Sequence, residues 1–356
     1  GAQAASQHAS PETEPLPAVV PASSMAARAV AVLAALGVSE GLRAQLVPAE
    51  VPAAQALPLP VLWVHTPKCG TSFANVLYHH TGLCPRTPEN AYLQPGEQWS
   101  DFVKRHPPTR NCPGAFAERF DGDHWGLGDA WFRLQDKDKG RHVFAFFRQP
   151  EQRLISGWLD KQHDWPISIR PSHILEYATH MRGCGTRMLT RGGMPCGESI
   201  PQPGKIEVAI AVERVKELGF VGLTDQWELS VCLFYATYGG NCTDGVFSNT
   251  RSGQKRRDNK QLYNATAYLG RFQDAVDGPV YEEAQRVFWR RFRERGLSPE
   301  VCAMKICRRA TRKARFGLRD PQHPERLQRV QLARAAEGAS ETGGFGDVEE
   351  PVYDED

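Results

Sequence analysis

The sequence predicts an α/β fold in three layers, a central parallel sheet flanked by helices, and three observations predict it. Short apolar runs at residues 61–65 (V-L-W-V-H), 142–147 (H-V-F-A-F-F) and 220–223 (F-V-G-L) suit strands buried on both faces. Segments with helical patterning separate them, at 150–162 and 206–218, and another follows at 225–238. Strands alternating with helices give a parallel sheet, because parallel neighbours need a crossover longer than a hairpin.

The elements follow in order. Residues 1–57 are rich in Ala, Pro and Ser, with little to bury, and are expected to form a stalk or linker. Within them, the Ala/Val/Leu stretch at 25–38 after Arg28 suits either the apolar region of a signal peptide or an Ala-rich helix. No run of eighteen apolar residues occurs, and a chain that opens at Gly1 leaves room for a membrane anchor upstream.

The folded domain is expected over residues 58–310. After the first strand come a helix at 73–78 and an irregular stretch at 82–122. The second strand leads into a helix opened by Pro150, where proline suits the first turn. A Gly/Pro/Cys-rich insertion at 165–204 holds a short helix near 174–179, and a last helix is expected at 280–294. Residues 311–356 form a charged tail, basic first and acidic at the end, which suits solvated surface.

A chain of 356 residues with 41% hydrophobic content can build one large domain with tails, or two small ones. Its formal charge of +2 gives no bulk electrostatic argument for a nucleic-acid partner. Nine cysteines without a CxxC pair or zinc-ligand spacing point to disulfides. Cys69 falls in a loop of interest; the other eight are Cys84, Cys112, Cys184, Cys196, Cys232, Cys242, Cys302 and Cys307. Pairing between sequence neighbours is plausible, although eight cysteines allow about 105 connectivities. Sequons at Asn241 and Asn264 add to an expectation of an oxidising, glycosylating compartment.

Chemistry concentrates in two segments. In V-L-W-V-H-T-P-K-C-G-T-S-F (61–73), a turn after a strand would aim backbone amides, the Thr71 and Ser72 hydroxyls and a helix N-terminus at one point, with Lys68 adding mobile charge. Such a device holds phosphate or sulfate oxygens. An ordinary strand-to-helix turn with an exposed lysine is the plainer alternative. In F-F-R-Q-P-E-Q-R-L-I-S-G-W (146–158), Arg148 at a strand end and Ser156 two helical turns later can grip one phosphate by a planar fork and a hydroxyl. A strand-end salt bridge and a surface serine are the alternatives here.

The order P-K-x-G-T-S differs from a nucleoside triphosphatase loop, whose lysine follows the second glycine. It resembles the 5'-phosphosulfate loop of the sulfotransferases that use 3'-phosphoadenosine 5'-phosphosulfate (PAPS), and the Arg148/Ser156 segment resembles their 3'-phosphate site. Further segments, G-T-R-M-L-T (185–190), F-V-G-L-T-D (220–225), S-N-T-R-S-G (248–253) and V-Y-E-E-A-Q-R-V-F (280–288), resemble the Golgi carbohydrate branch, such as the heparan sulfate 6-O- and 2-O-sulfotransferases. Coverage runs over about residues 60–295.

This resemblance implies a P-loop-like fold, PAPS as co-substrate with 3'-phosphoadenosine 5'-phosphate (PAP) as product, a carbohydrate or other hydroxyl acceptor, and a Golgi-lumenal setting. It implies that Lys68, Cys69, Gly70, Thr71 and Ser72 form the phosphosulfate loop, that Arg148 and Ser156 hold the 3'-phosphate, and that Thr250 and Arg251 belong to a lid. A basic surface loop is the alternative for 250–251. It implies Lys68 and His124 as the catalytic pair: an alcohol attacks poorly while protonated, so a base is needed, and His124 matches the branch's histidine within about one residue. A structural hydrogen-bonding role is the alternative for His124. His65 and His142 are expected to be structural, and Trp125, Asp129 and Trp131 to lie near the acceptor or in the core. No metal is expected, since lysine and arginine supply countercharge. The rival functions are a nucleotide-dependent kinase and an inactive glycan-binding homologue.

Overall fold

The computed structural model describes residues 51–310 apart from 119–121, 129, 135–138, 162, 164–170, 198–199, 249 and 251–263. Residues 1–50, most of the expected stalk, and the tail 311–356 lie outside the described residues, as do Arg251 and Asp129.

The architecture is α/β. Strands β1 (Leu62–Val64), β2 (Val143–Phe147) and β3 (Phe220–Leu223) form a parallel sheet in the order β1-β2-β3. Register pairs Leu62 with Val143 and Phe144 with Phe220. Every strand residue is buried, so side chains on both faces are covered, and the three runs are continuously apolar for that reason.

The helices in chain order are α1 (Phe73–Tyr78), α2 (Trp99–Arg105), α3 (Pro108–Asn111), α4 (Ala130–Arg133), α5 (Pro150–Leu159), α6 (Ile174–Met181), α7 (Cys184–Thr190), α8 (Lys205–Glu217), α9 (Trp227–Tyr238), α10 (Ala265–Leu269), α11 (Gly278–Glu294) and α12 (Pro299–Val301). Four expectations are corrected. The stretch 82–122 carries α2 and α3 rather than irregular chain alone, and the insertion at 165–204 carries α7 as well as α6. Residues 51–57 belong to the domain: the Gln55 amide donates to Thr237 O at 2.7 Å, and Arg295 donates to the Pro52 and Ala53 carbonyls. His142 ends a 3₁₀ turn before β2, with Nδ1 3.1 Å from Pro60 O, instead of starting the strand.

The core is aromatic. Phe73 of α1 stacks on Phe220 at 5.4 Å between ring centroids and meets Phe146 at 4.7 Å and Phe234 of α9 edge-on at 5.5 Å. Burying each such ring contributes about 1.5–3 kcal/mol. Gly222 makes this packing possible, because a Cβ there would lie 2.5 Å from the Phe146 ring. A second cluster joins α5, α6 and α10 through Leu154, Ile155, Tyr177, Met181 and Leu269.

Four disulfides are present: Cys84–Cys112, Cys184–Cys196, Cys232–Cys302 and Cys242–Cys307. Neighbour pairing holds for the first two. The last four cysteines instead cross, tying α9 and the loop after it to the segment beyond α12. Disulfides of this number fit a secreted or lumenal domain. Among the described residues, no helix is long and apolar enough to cross a membrane.

A buried polar knot fixes the start of α7. Asp277 accepts from the Gly185 and Thr186 amides at 2.9 and 2.8 Å, and Asp274 accepts from the Gly183 amide at 3.1 Å. Arg153 of α5 lies 3.9 Å from Asp274 and 3.6 Å from Asp277. The second arginine of R-Q-P-E-Q-R is thus structural.

Candidate functional site

A parallel sheet ends all its strands on one edge, and the loops leaving that edge form the usual ligand crevice. Here the carboxyl ends of β1, β2 and β3 lead into residues 65–72, 148–149 and 224–226. A cavity of about 470 Å³ lies against them, lined by Lys68, Gly70, Thr71, Ser72, Arg148, Gln149, Gln152, Ser156, Thr224, Asp225, Trp227, Glu228 and Phe247. The two segments singled out by sequence therefore share one cavity.

The first loop is tightly wound. The Cys69 amide donates to Thr66 O at 3.0 Å and the Phe73 amide to Gly70 O at 2.8 Å. Gly70 has φ +86° and Lys68, without the freedom of glycine, φ +67°. A left-handed lysine is a stored cost that functional loops tolerate when surrounding contacts hold it. Those contacts are visible: Arg148 Nη1 donates to the Lys68 carbonyl at 3.2 Å, and Lys68 Nζ donates to Asp160 Oδ2 at 2.5 Å.

Neighbouring groups brace the loop. His65 is buried and stacked on Trp63 at 4.8 Å, with Nδ1 2.7 Å from Gly122 O and Nε2 3.1 Å from Thr71 Oγ1. It orients the Thr71 hydroxyl, a structural role as expected. Ser72 Oγ accepts from the Thr250 amide at 3.0 Å and pairs with Thr250 Oγ1 at 2.9 Å. Thr250 is fully buried, so it is tied to Ser72 of the loop and does not line the cavity. Cys69 also stays out of the cavity wall: its side chain is buried, and that burial pushes its thiol up to about 11. Since α1 has only six residues, the expected helix N-terminus adds little to the charge the loop presents.

Arg148 and Ser156 lie at the two ends of the first helical turns after β2. Pro150 sits in the first turn of α5, and Gln149 caps it by accepting from the Gln152 amide at 2.8 Å. Gln152 and Ser156, four residues apart, share the face that lines the cavity.

His124 is half-buried and lies beside the loop rather than in the cavity wall. Its ring is 4.9 Å from His65 and 5.0 Å from His163. Trp125 and Trp131 pack at the core, Trp131 beneath the Arg214 guanidinium at 5.1 Å.

Sequence reasoning missed Gln149, Gln152, Thr224, Asp225, Trp227, Glu228, Phe247 and Asp160. Helical spacing back from Ser156 could have found Gln152, and the strand end at Leu223 could have found Thr224 and Asp225. The two carboxylates partly offset the two cations of the wall. Tyr281 Oη donates to Asp225 Oδ1 at 3.2 Å. No group of three or more His, Cys, Asp or Glu side chains among the described residues is arranged to hold a metal ion.

No family model matches this chain, and no curated protein or solved structure matches it either.

Proposed function

We propose that this chain is a sulfotransferase that moves the sulfuryl group of PAPS to a hydroxyl, on a carbohydrate, within the secretory pathway and as a P-loop-like domain of the Golgi lumen. The observation that carries the reading is that Lys68 and Arg148, with Ser156, line one cavity at the carboxyl edge of the sheet. Its volume is within the usual range of small-molecule sites, roughly 300–1,000 Å³, and Trp227 and Phe247 offer flat faces to a base. The wall therefore fits a bisphosphorylated nucleotide: Lys68, Gly70, Thr71 and Ser72 toward the 5' end, Arg148 and Ser156 toward the 3'-phosphate.

When bound, PAPS supplies an activated sulfuryl group. Catalysis then rests on alignment and on charge set in place beforehand. Lys68 neutralises negative charge on the leaving phosphate oxygen, His65 fixes Thr71 in the loop by accepting a hydrogen bond from its hydroxyl, and His124 accepts the acceptor proton. The disulfides and the exposed Asn241 and Asn264 suit passage through a glycosylating lumen.

A kinase reading draws on Asp225 and Glu228, carboxylates that could meet a magnesium nucleotide. Thermal shift separates the two. PAP is expected to raise the melting temperature more than ATP with magnesium, and sulfate transfer from PAPS is expected with a panel of desulfated glycans. A larger shift with ATP, or no shift with PAP, rules the proposal out.

A further inference from the structure

The carboxylate facing Lys68 has no part in the function proposed above. Asp160 is the C-cap of α5, followed by Lys161 in the left-handed conformation at φ +55°. A negative side chain there works against the helix, whose C-terminal carbonyls are already negative. It is nonetheless held in a defined place. The Asp160 amide donates to Ser156 O and Gly157 O, both at 3.2 Å. The next turn is also fixed, since the His163 amide donates to Gly157 O at 3.0 Å and Tyr177 Oη donates to His163 O at 2.9 Å.

Two nitrogen-bearing side chains converge on one oxygen. Asp160 Oδ2 is 2.5 Å from Lys68 Nζ and 3.8 Å from His163 Nδ1. The Lys68 side chain is 12% exposed and that of Asp160 51%, so the lysine is largely enclosed while its partner faces water. A pair open to solvent on one side is weakly held, and a ligand carrying several negative charges can displace the carboxylate.

We infer that Asp160 is a positioning residue that holds the Lys68 ammonium in the absence of nucleotide, surrenders it to the anionic ligand, and then turns to His163. The inference rests on the proposed nucleotide site. In it the carboxylate stands in for a phosphate oxygen: it holds the ammonium of the left-handed lysine and competes with the ligand for it. The helix that supplies Ser156 to one end of the nucleotide thus supplies, one turn later, the competitor at the other.

The test is a double-mutant cycle read by calorimetry with PAP, using wild type, Asp160→Asn, Lys68→Ala and the double variant, at low salt. Asp160→Asn is expected to tighten PAP binding about three- to fivefold, the scale of a lost partly exposed ion pair. A purely structural role would not strengthen binding. In the Lys68→Ala background the same substitution is expected to change affinity less than twofold. An equal gain in both backgrounds means that only the general field changed, and overturns the inference, as does unchanged or weaker binding in Asp160→Asn. Acylation of Lys68 in the ligand-free protein, followed by mass spectrometry, is expected to speed up in Asp160→Asn. An unchanged labelling rate also overturns it. If wild type fails to bind PAP, the proposed function fails, while the labelling rates still decide whether Asp160 holds Lys68.

Discussion

The Arg148 guanidinium donates to the backbone carbonyl of Lys68 at 3.2 Å, so the two cations of the cavity are mechanically joined across β1 and β2. Arg148 therefore has two tasks, to meet a phosphate and to hold a strained loop residue.

Arg148→Ala is expected to weaken PAP binding about ten- to a hundredfold, the loss of a charge-assisted contact together with a looser loop. Arg148→Lys is expected to recover only part of this, since an ammonium cannot reach phosphate and carbonyl together as a planar fork does. Calorimetry with PAP measures both; full recovery by lysine would show that the fork is unnecessary.

Lys68→Ala is expected to lower sulfate transfer about 10²–10³-fold, the usual scale for removing one preorganised charge at a reacting centre. Lys68→Gly removes the same ammonium but suits φ +67° better, so it is expected to melt no lower than Lys68→Ala while being equally inactive. Paired activity and melting measurements check this.

His124→Ala is expected to reduce turnover about 10²–10⁴-fold and leave PAP affinity nearly unchanged, because His124 lies beside His65 and outside the cavity wall. Normal turnover in this variant would remove His124 from the base role. Loss of PAP binding would instead assign it to bracing the loop.

Removing the Cys232–Cys302 bridge by a double alanine substitution is expected to destabilise the domain by up to about 4 kcal/mol, given a sequence separation of 70 residues. Chemical denaturation checks it, and loss of the shorter Cys184–Cys196 bridge, with a separation of 12, is expected to cost less.

Burial, and then the neighbouring Asp277, push the Asp274 carboxyl up to about 6 from its ordinary 3.8. An acid raised in the folded state binds its proton more tightly there than in the unfolded chain. Its stabilising contribution is complete below about pH 4 and is lost as pH rises to about 6, with a slope of at most about 1.4 kcal/mol per pH unit. Denaturation of wild type and Asp274→Asn from pH 4 to 7 is expected to show wild type losing stability relative to the variant as pH rises. A flat difference would mean that Arg153 fully compensates.

The sequence by itself determined the α/β class, the three strands, most of the long helices and the two segments that meet at the cavity. It did so because strands buried on both faces must be apolar throughout, and because a tight loop after such a strand needs Gly70 and small hydroxyl residues whatever surrounds it. Tertiary structure alone decided the rest. Short helices such as α2, α3 and α7 are held by packing and by carboxylates far along the chain, as Asp277 holds α7, so local periodicity is silent about them. The crossed pairing of Cys232, Cys242, Cys302 and Cys307 depends on where α9 meets the chain end, which spacing does not encode. Thr250, expected in a lid, is a buried tie to Ser72, and Asp160, which the sequence does not single out, holds Lys68. Each of those contacts joins residues more than ninety positions apart, and only the folded chain brings them within hydrogen-bonding distance.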